Sequence, residues 1–259
     1  MTLLRLGHAL GVVGNYSDSD VVFQRAIGIS RASPRRIFEG GVSALQAETL
    51  LWRNDCSGAL HLAKRALVLA EVGGEERDFI RATRREGTAA LCIGDKGFAF
   101  ERLYQALNRA CAANYFEEEL PTLTALAELH RRKNDLSTAR ELLNQVWNAA
   151  ERGPYPLLHA DALNVLAQIE RDQGNRAAAI AAATKAYKLA WCDGISADGK
   201  VCYAYHYGLT NARKLLQELG APEPQLPPFD ESKFPPLPDV ELNPKDEFWV
   251  DPASLESNP

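Results

Sequence analysis

One near-match to a phosphate-binding loop, scattered histidines and cysteines, and a run of aromatic rings are the residues here whose types could do chemistry. The segment Gly194-Ile195-Ser196-Ala197-Asp198-Gly199-Lys200-Val201 places two glycines and a lysine as a nucleotide-binding P-loop does. In such loops backbone N–H groups cradle the phosphates and a Ser or Thr after the lysine holds Mg²⁺. Here that position is Val201, and the segment follows a helical pattern where a strand is required. An inter-helix loop is expected, with nucleotide binding through 194–201 the weakest alternative. His8, His61, His130, His159 and His206 fall in five different predicted helices, with no i,i+4 partner and no cysteine at ligand spacing. That excludes the usual zinc patterns. Cys56, Cys92, Cys111, Cys192 and Cys202 form no C-x-x-C pair and leave an odd count, so free thiols in a reducing cytoplasm are expected. Tyr203-Ala204-Tyr205-His206-Tyr207 reads as the packing face of a helix. Glu117, Glu118 and Glu119 read as a first-turn cluster favoured by the helix dipole. No nucleophile stands with a base and an orienting group. Catalysis, a metal and a cofactor are therefore not expected.

The elements that carry these residues repeat every 40 positions. Gly7, Ala47, Gly87, Ala127 and Ala167 share one phase; Ser19, Ala59, Ala99, Ala139 and Ala179 share a second; Ala26, Ala66, Ala106, Val146 and Ala186 share a third. The sharpest column is Asn15, Asp55, Asp95, Asp135 and Asn175, preceded by Gly14, Asn54, Gly94, Asn134 and Gly174. Gly and Asn tolerate the left-handed conformation that ends a helix. Asp and Asn accept hydrogen bonds from the free N–H groups that begin the next one. The paired columns thus spell a tight turn between two helices, and the small columns mark where those helices approach closely. Helices are predicted near 1–13, 16–32, 36–53, 56–72, 75–93, 96–113, 116–133, 136–152, 155–173 and 176–191. A last one over 202–219 caps the stack.

These columns resemble the tetratricopeptide repeat. Gly87, Ala99, Leu103 and Ala106 match that family's small, small, bulky and alanine positions in the third unit, as Gly7, Ser19, Phe23 and Ala26 do in the first. The stretches EEELPTLTALAELHRR, ERGPYPLLHADALNVLAQIERDQGN, KAYKLAWCDG and GAPEP are more narrowly similar to the C-terminal repeat arrays of bacterial STAND-type signalling NTPases. The resemblance implies an all-α, right-handed superhelical solenoid over 1–219, with units near 1–33, 34–73, 74–114, 115–153 and 154–193 and a cap at 202–219. It implies a sensor arm or scaffold that binds protein through its concave face. In that family, set positions of each first helix line this face. Here they give Glu48 and Trp52; Arg81 and Arg84; Glu128, Arg131 and Arg132; then Asn164, Gln168 and Arg171, with Leu51, Thr88, Leu91, Thr124, Asp161 and Asp172 beside them. An arginine fork binds carboxylates in a plane, so a peptide with acidic groups is the expected partner. An oligomerisation module acting end to end is the alternative.

Charge and proline are unevenly spread over the 259 residues, whose net charge is −5. Ten of the 14 prolines and a net charge of −7 fall in 220–259, leaving +2 on the body. Proline removes a backbone donor and restricts its predecessor, so this tail is predicted to be extended. It keeps Phe229, Phe234, Phe248 and Trp249 as apolar anchors, and docking of 221–259 onto the helices is expected. A body at +2 without a basic stripe argues against nucleic acid. No apolar run reaches membrane-spanning length. The first unit starts at Met1 already inside its first helix, so a fragment of a larger protein and self-association through the N-terminal face are expected.

Overall fold

The computed structural model describes residues 2–32, 37–73, 75–149, 155–191 and 204–226. Eleven helices and no strand occur among them: α1 Thr2–Val12, α2 Tyr16–Ala32, α3 Ile37–Trp52, α4 Cys56–Gly73, α5 Glu76–Ile93, α6 Lys96–Ala113, α7 Phe116–Arg132, α8 Leu136–Ala149, α9 Pro156–Asp172, α10 Arg176–Ala190 and α11 His206–Glu218. None is long and apolar enough to cross a membrane.

The turn columns adopt the conformation their residue types favour. Gly14, Asn54, Gly94, Asn134 and Gly174 all have positive φ, from 61° to 101°. The N–H of each following residue (Asn15, Asp55, Asp95, Asp135, Asn175) donates to the carbonyl of Leu10, Leu50, Ala90, His130 or Glu170 at 2.8–2.9 Å. That bond closes a Schellman turn and satisfies a carbonyl the helix itself leaves free. Asp95 then caps α6, its carboxylate accepting from the Phe98 N–H at 3.0 Å, and Asp55 does the same for Gly58 at 2.9 Å. Asn175 differs: its side chain donates to Glu170 and makes no cap bond.

All three small columns are buried, and their smallness is enforced by contact. A Cβ added at Gly87 would lie 2.8 Å from Leu103 Cγ, and one at Gly7 would lie 2.9 Å from the Phe23 ring. Ser19 uses the same closeness to donate its hydroxyl to the Gly7 carbonyl at 2.7 Å. Each helix packs on the next in sequence. The odd-numbered helices also pack on one another, α1 on α3, α3 on α5, α5 on α7, α7 on α9 and α9 on α11. The odd-numbered helices thus form one continuous layer.

Two sequence expectations change. Cys56, opening α4, and Cys92, closing α5, form a disulfide with Cα atoms 5.7 Å apart, where free thiols were expected. The repeat brings the start of one unit's second helix beside the end of the next unit's first, a neighbourhood that a separation of 36 residues hides. Cys111 is free and exposed, while Cys192 and Cys202 lie outside the described residues. The last helix begins at His206, not 202. Packing also continues past residue 219: Ala221 and Leu226 lie against the α9–α11 core, and Glu223 accepts from Tyr187 Oη and pairs with Arg213, each at 2.9 Å. The loop 194–201 and the anchors Phe229, Phe234, Phe248 and Trp249 lie outside the described residues.

Candidate functional site

Four odd-numbered helices contribute to one chain of ion pairs. On α1, His8 Nε2 meets Glu48 Oε2 of α3 at 3.0 Å. The same oxygen accepts from Arg85 of α5 at 2.6 Å, and Arg84 approaches the other carboxylate oxygen at 3.7 Å. Arg84 and Arg81 then reach Glu118 of α7, at 3.2 and 2.8 Å, and Arg81 also pairs with Asp78 at 3.2 Å. Arg84, Arg85 and Glu118 are 8, 2 and 2% exposed, so this chain is largely withdrawn from water. Burial alone would raise Glu48, but Arg85, the His8 hydrogen bond and Arg84 hold its carboxyl well below the ordinary range. Glu118 behaves alike: burial pushes it up, and Arg84, Arg81 and Arg85 bring it below its usual value. Burial lowers Arg85 to about 10 against the pull of Glu48. Glu118 does lie with Glu117 and Glu119 in the first turn of α7, and it is buried there. Its neighbours on α5 make it the acceptor of two arginines.

A second chain runs across α7, α9 and α11. Glu128 accepts from Arg131 at 2.7 Å and Arg132 at 2.6 Å. Arg132 also donates to the Leu91 carbonyl of α5 at 2.9 Å. Arg131 reaches Asp172 at 2.5 Å, and Arg171 bridges Asp172 and Glu218, at 3.0 and 2.7 Å. Gln168 and Arg171, with Asn211, Lys214, Leu215 and Glu218, line a shallow cleft of about 150 Å³. The five arginines of the sequence-derived set therefore have their forks on carboxylates of this chain.

Between the two ionic chains lies a segment placed by neither propensity nor periodicity. Residues 204–208 lead into α11, and Tyr205 is buried with its N–H on the Ala190 carbonyl at 2.8 Å. Its hydroxyl donates to Asp161 Oδ2 of α9 at 2.9 Å, and Asn164 Nδ2 donates to the Gly208 carbonyl at 2.9 Å. The Trp52 ring of α3 stands edge-on to Tyr205 at 5.8 Å and stacks on Tyr207 at 6.4 Å. His206 reaches the first turn of the array. Tyr16 Oη lies 3.4 Å from its Nδ1, and a Cβ on Gly14 would lie 2.6 Å from its ring. A helix that merely capped the stack would touch α9 and α10 alone. This one also meets α3 and the α1–α2 turn. Burial raises the Asp161 carboxyl to about 7, only partly offset by the Tyr205 hydrogen bond. Burial and then Asp161 push Tyr207 up to about 12.

All ten residues of the sequence-derived set lie on this odd layer, and they divide between the two chains and the aromatic junction. Sequence reasoning missed His8, Arg85, Glu118, Tyr205 and Tyr207. The Tyr203–Tyr207 run carried a signal, four rings in five residues, but nothing local says which helices those rings face. Among the described residues no cluster of His, Cys, Asp and Glu is placed to hold a metal ion. No protein-family model and no curated protein matches this chain.

Proposed function

We propose that this chain is a protein-binding scaffold of tetratricopeptide-like helix pairs, the sensor arm of a signalling assembly, that engages peptides on its concave face. One observation carries this reading: charged and hydrogen-bonding side chains concentrate on the odd layer, where a stable array needs only apolar contact. Arg85 and Glu118 are taken out of water there, and Asp161 and Asn164 face a segment from outside the repeats. Withdrawing ions from water costs several kcal/mol per ion before pairing, and a well-packed apolar surface holds helices together at least as well. Such groups on a groove wall supply what recognition requires, directional donors and acceptors held by rigid helices. The superhelical path of the tetratricopeptide family belongs to the same proposal, supported by the 40-residue period and by odd-on-odd packing.

The test is selection of displayed random peptides on the immobilised full chain. Recovered peptides should lose at least about tenfold in affinity to an Asn164→Ala, Arg171→Ala chain. Peptides indifferent to these substitutions, or no binders at all, would overturn the reading.

A further inference from the structure

The odd layer already holds one short segment, extended at Tyr205 and helical from His206 onward, and its contacts describe what that surface accepts. Tyr205, in extended conformation at φ −68° and ψ 92°, inserts a ring edge against Trp52 and a hydroxyl against Asp161. Two residues on, Tyr207 stacks its ring on Trp52 at 6.4 Å. Asn164 then takes the next carbonyl. This is a ring, a spacer, a second ring and a main-chain acceptor, read in order by α9 and α3.

The fit is incomplete in a specific way. Asp161 Oδ1 and Asn164 Oδ1 are both buried and neither has a hydrogen-bond partner, although each stands beside an atom of the same group that does. On the facing helix α5, Arg84 Nε and Arg85 Nε are likewise buried without an acceptor. A buried acceptor or donor left unmade costs about 1–3 kcal/mol, which a better-matched occupant would recover.

We infer that the odd-layer surface around Trp52, Asp161 and Asn164 is a receptor for a Tyr-x-Tyr segment of a partner protein, entering in place of the chain's own Tyr205–Tyr207. The inference rests on the peptide-binding reading above and names its ligand. A partner segment repeats the hydroxyl contact to Asp161 and the ring contacts to Trp52. It also brings an N–H donor to the vacant Asn164 Oδ1 and a polar partner to Asp161 Oδ1, which the resident segment does not. The resident segment acts as a competitor in the same chain. Because the binding-competent fraction is then small, apparent affinity for any outside peptide is reduced by that fraction.

The experiment uses the full chain and a fluorescein-labelled peptide with the sequence of residues 203–210, Tyr-Ala-Tyr-His-Tyr-Gly-Leu-Thr. Anisotropy titrations compare the parent with the emptied Tyr205→Ala, Tyr207→Ala chain, whose helical content is checked by circular dichroism. The emptied chain is expected to bind at least about tenfold more tightly than the parent, by relief of internal competition. Adding Trp52→Ala to it should abolish that gain, and a peptide with both tyrosines changed to serine should not bind. A folded, emptied chain that binds no better than the parent overturns the inference. If the double variant does not fold, Tyr205→Phe replaces it, since it removes the hydroxyl alone. Peptide uptake and amide exchange in the first turn of α11 should then both rise, and if neither moves the inference falls. Selected peptides that depend on Arg171 but lack the Tyr-x-Tyr pattern would sink this ligand while leaving the peptide-binding reading intact. Failure of both experiments removes the reading itself.

Discussion

Asp161 is the residue at which chemistry and packing meet. Facing it are Tyr205 from the junction before α11, Tyr207 on α11, Glu48 on α3 and Arg84 on α5. Its carboxyl titrates near 3.8 in an unfolded chain and at about 7 here. Between those values the folded chain holds a proton that the unfolded chain has lost. Stability contributed by Asp161 is thus complete below its unfolded value and falls as pH rises towards 7. Asp161→Asn keeps an acceptor for Tyr205 and removes the ionisation. The variant should therefore gain stability relative to the parent on going from pH 5 to pH 8, by about 2–4 kcal/mol in urea denaturation. An equal difference at both pH values would mean that the carboxylate is ionised throughout. Comparison above pH 5 keeps Glu48 and Glu118 out of the measurement, because both stay charged there. At this scale the sequence marked positions on the odd-numbered helices but not what they meet. Arg81, Arg84 and Arg131 stood out as arginines in register. Their acceptors, Glu118 and Asp172, lie on neighbouring helices, where no local pattern marks a pairing.

Helix pairs and their turns were far more legible, because the forces that end and begin a helix act within a few residues. The Gly/Asn column was read as left-handed, and all five positions have positive φ. The Asp/Asn column was read as a set of N-caps, and here the structure discriminates. Asp95 accepts from the Phe98 N–H, whereas Asn175 turns its side chain to Glu170. Asp95→Ala should accordingly cost about 0.5–2 kcal/mol by loss of the cap. Asn175→Ala should cost clearly less at the helix start. Chemical denaturation of both variants checks this, and equal losses would show that the residue type, not the cap bond, sets the cost. The Cys56–Cys92 link also belongs to this scale, since it staples α4 to α5 across two units. Closing a loop of this length stabilises by about 3–4 kcal/mol where it restricts the unfolded chain. Dithiothreitol should lower the parent's denaturation midpoint by a corresponding amount and leave a Cys56→Ser chain unmoved. No effect on the parent would mean that the link does not restrict the unfolded chain. Its pairing was illegible because the repeat that creates it places the two sulfurs on different units.

An array of repeats is ordinarily close to one-dimensional: each unit feels its neighbours and little beyond, so stability is a sum of local terms. This chain departs from that rule at one place. His206 meets Tyr16, and Tyr205 and Tyr207 meet Trp52, so the start of α11 is held by the first and second units as well as by α9 and α10. The two ends of the array are therefore coupled through packed rings. Aromatic pairs at this spacing contribute about 0.5–1.5 kcal/mol each beyond the area they bury. A substitution at Trp52 should consequently be felt across the molecule. We expect Trp52→Ala to accelerate amide hydrogen exchange in α11 by about tenfold, the equivalent of about 1.4 kcal/mol of local opening. Exchange in α8, the second helix of the fourth unit, should change little. Leu143→Ala is the control. Leu143 is fully buried in the fourth unit, and its truncation costs about 2–5 kcal/mol. In a nearest-neighbour array that loss should speed exchange in α7 through α10 more than at the distant α1–α2 turn. If Trp52→Ala instead raises exchange only in α1 through α5, the ring contacts carry no coupling. The chain would then behave as an open row of helix pairs, with α11 a cap and nothing more.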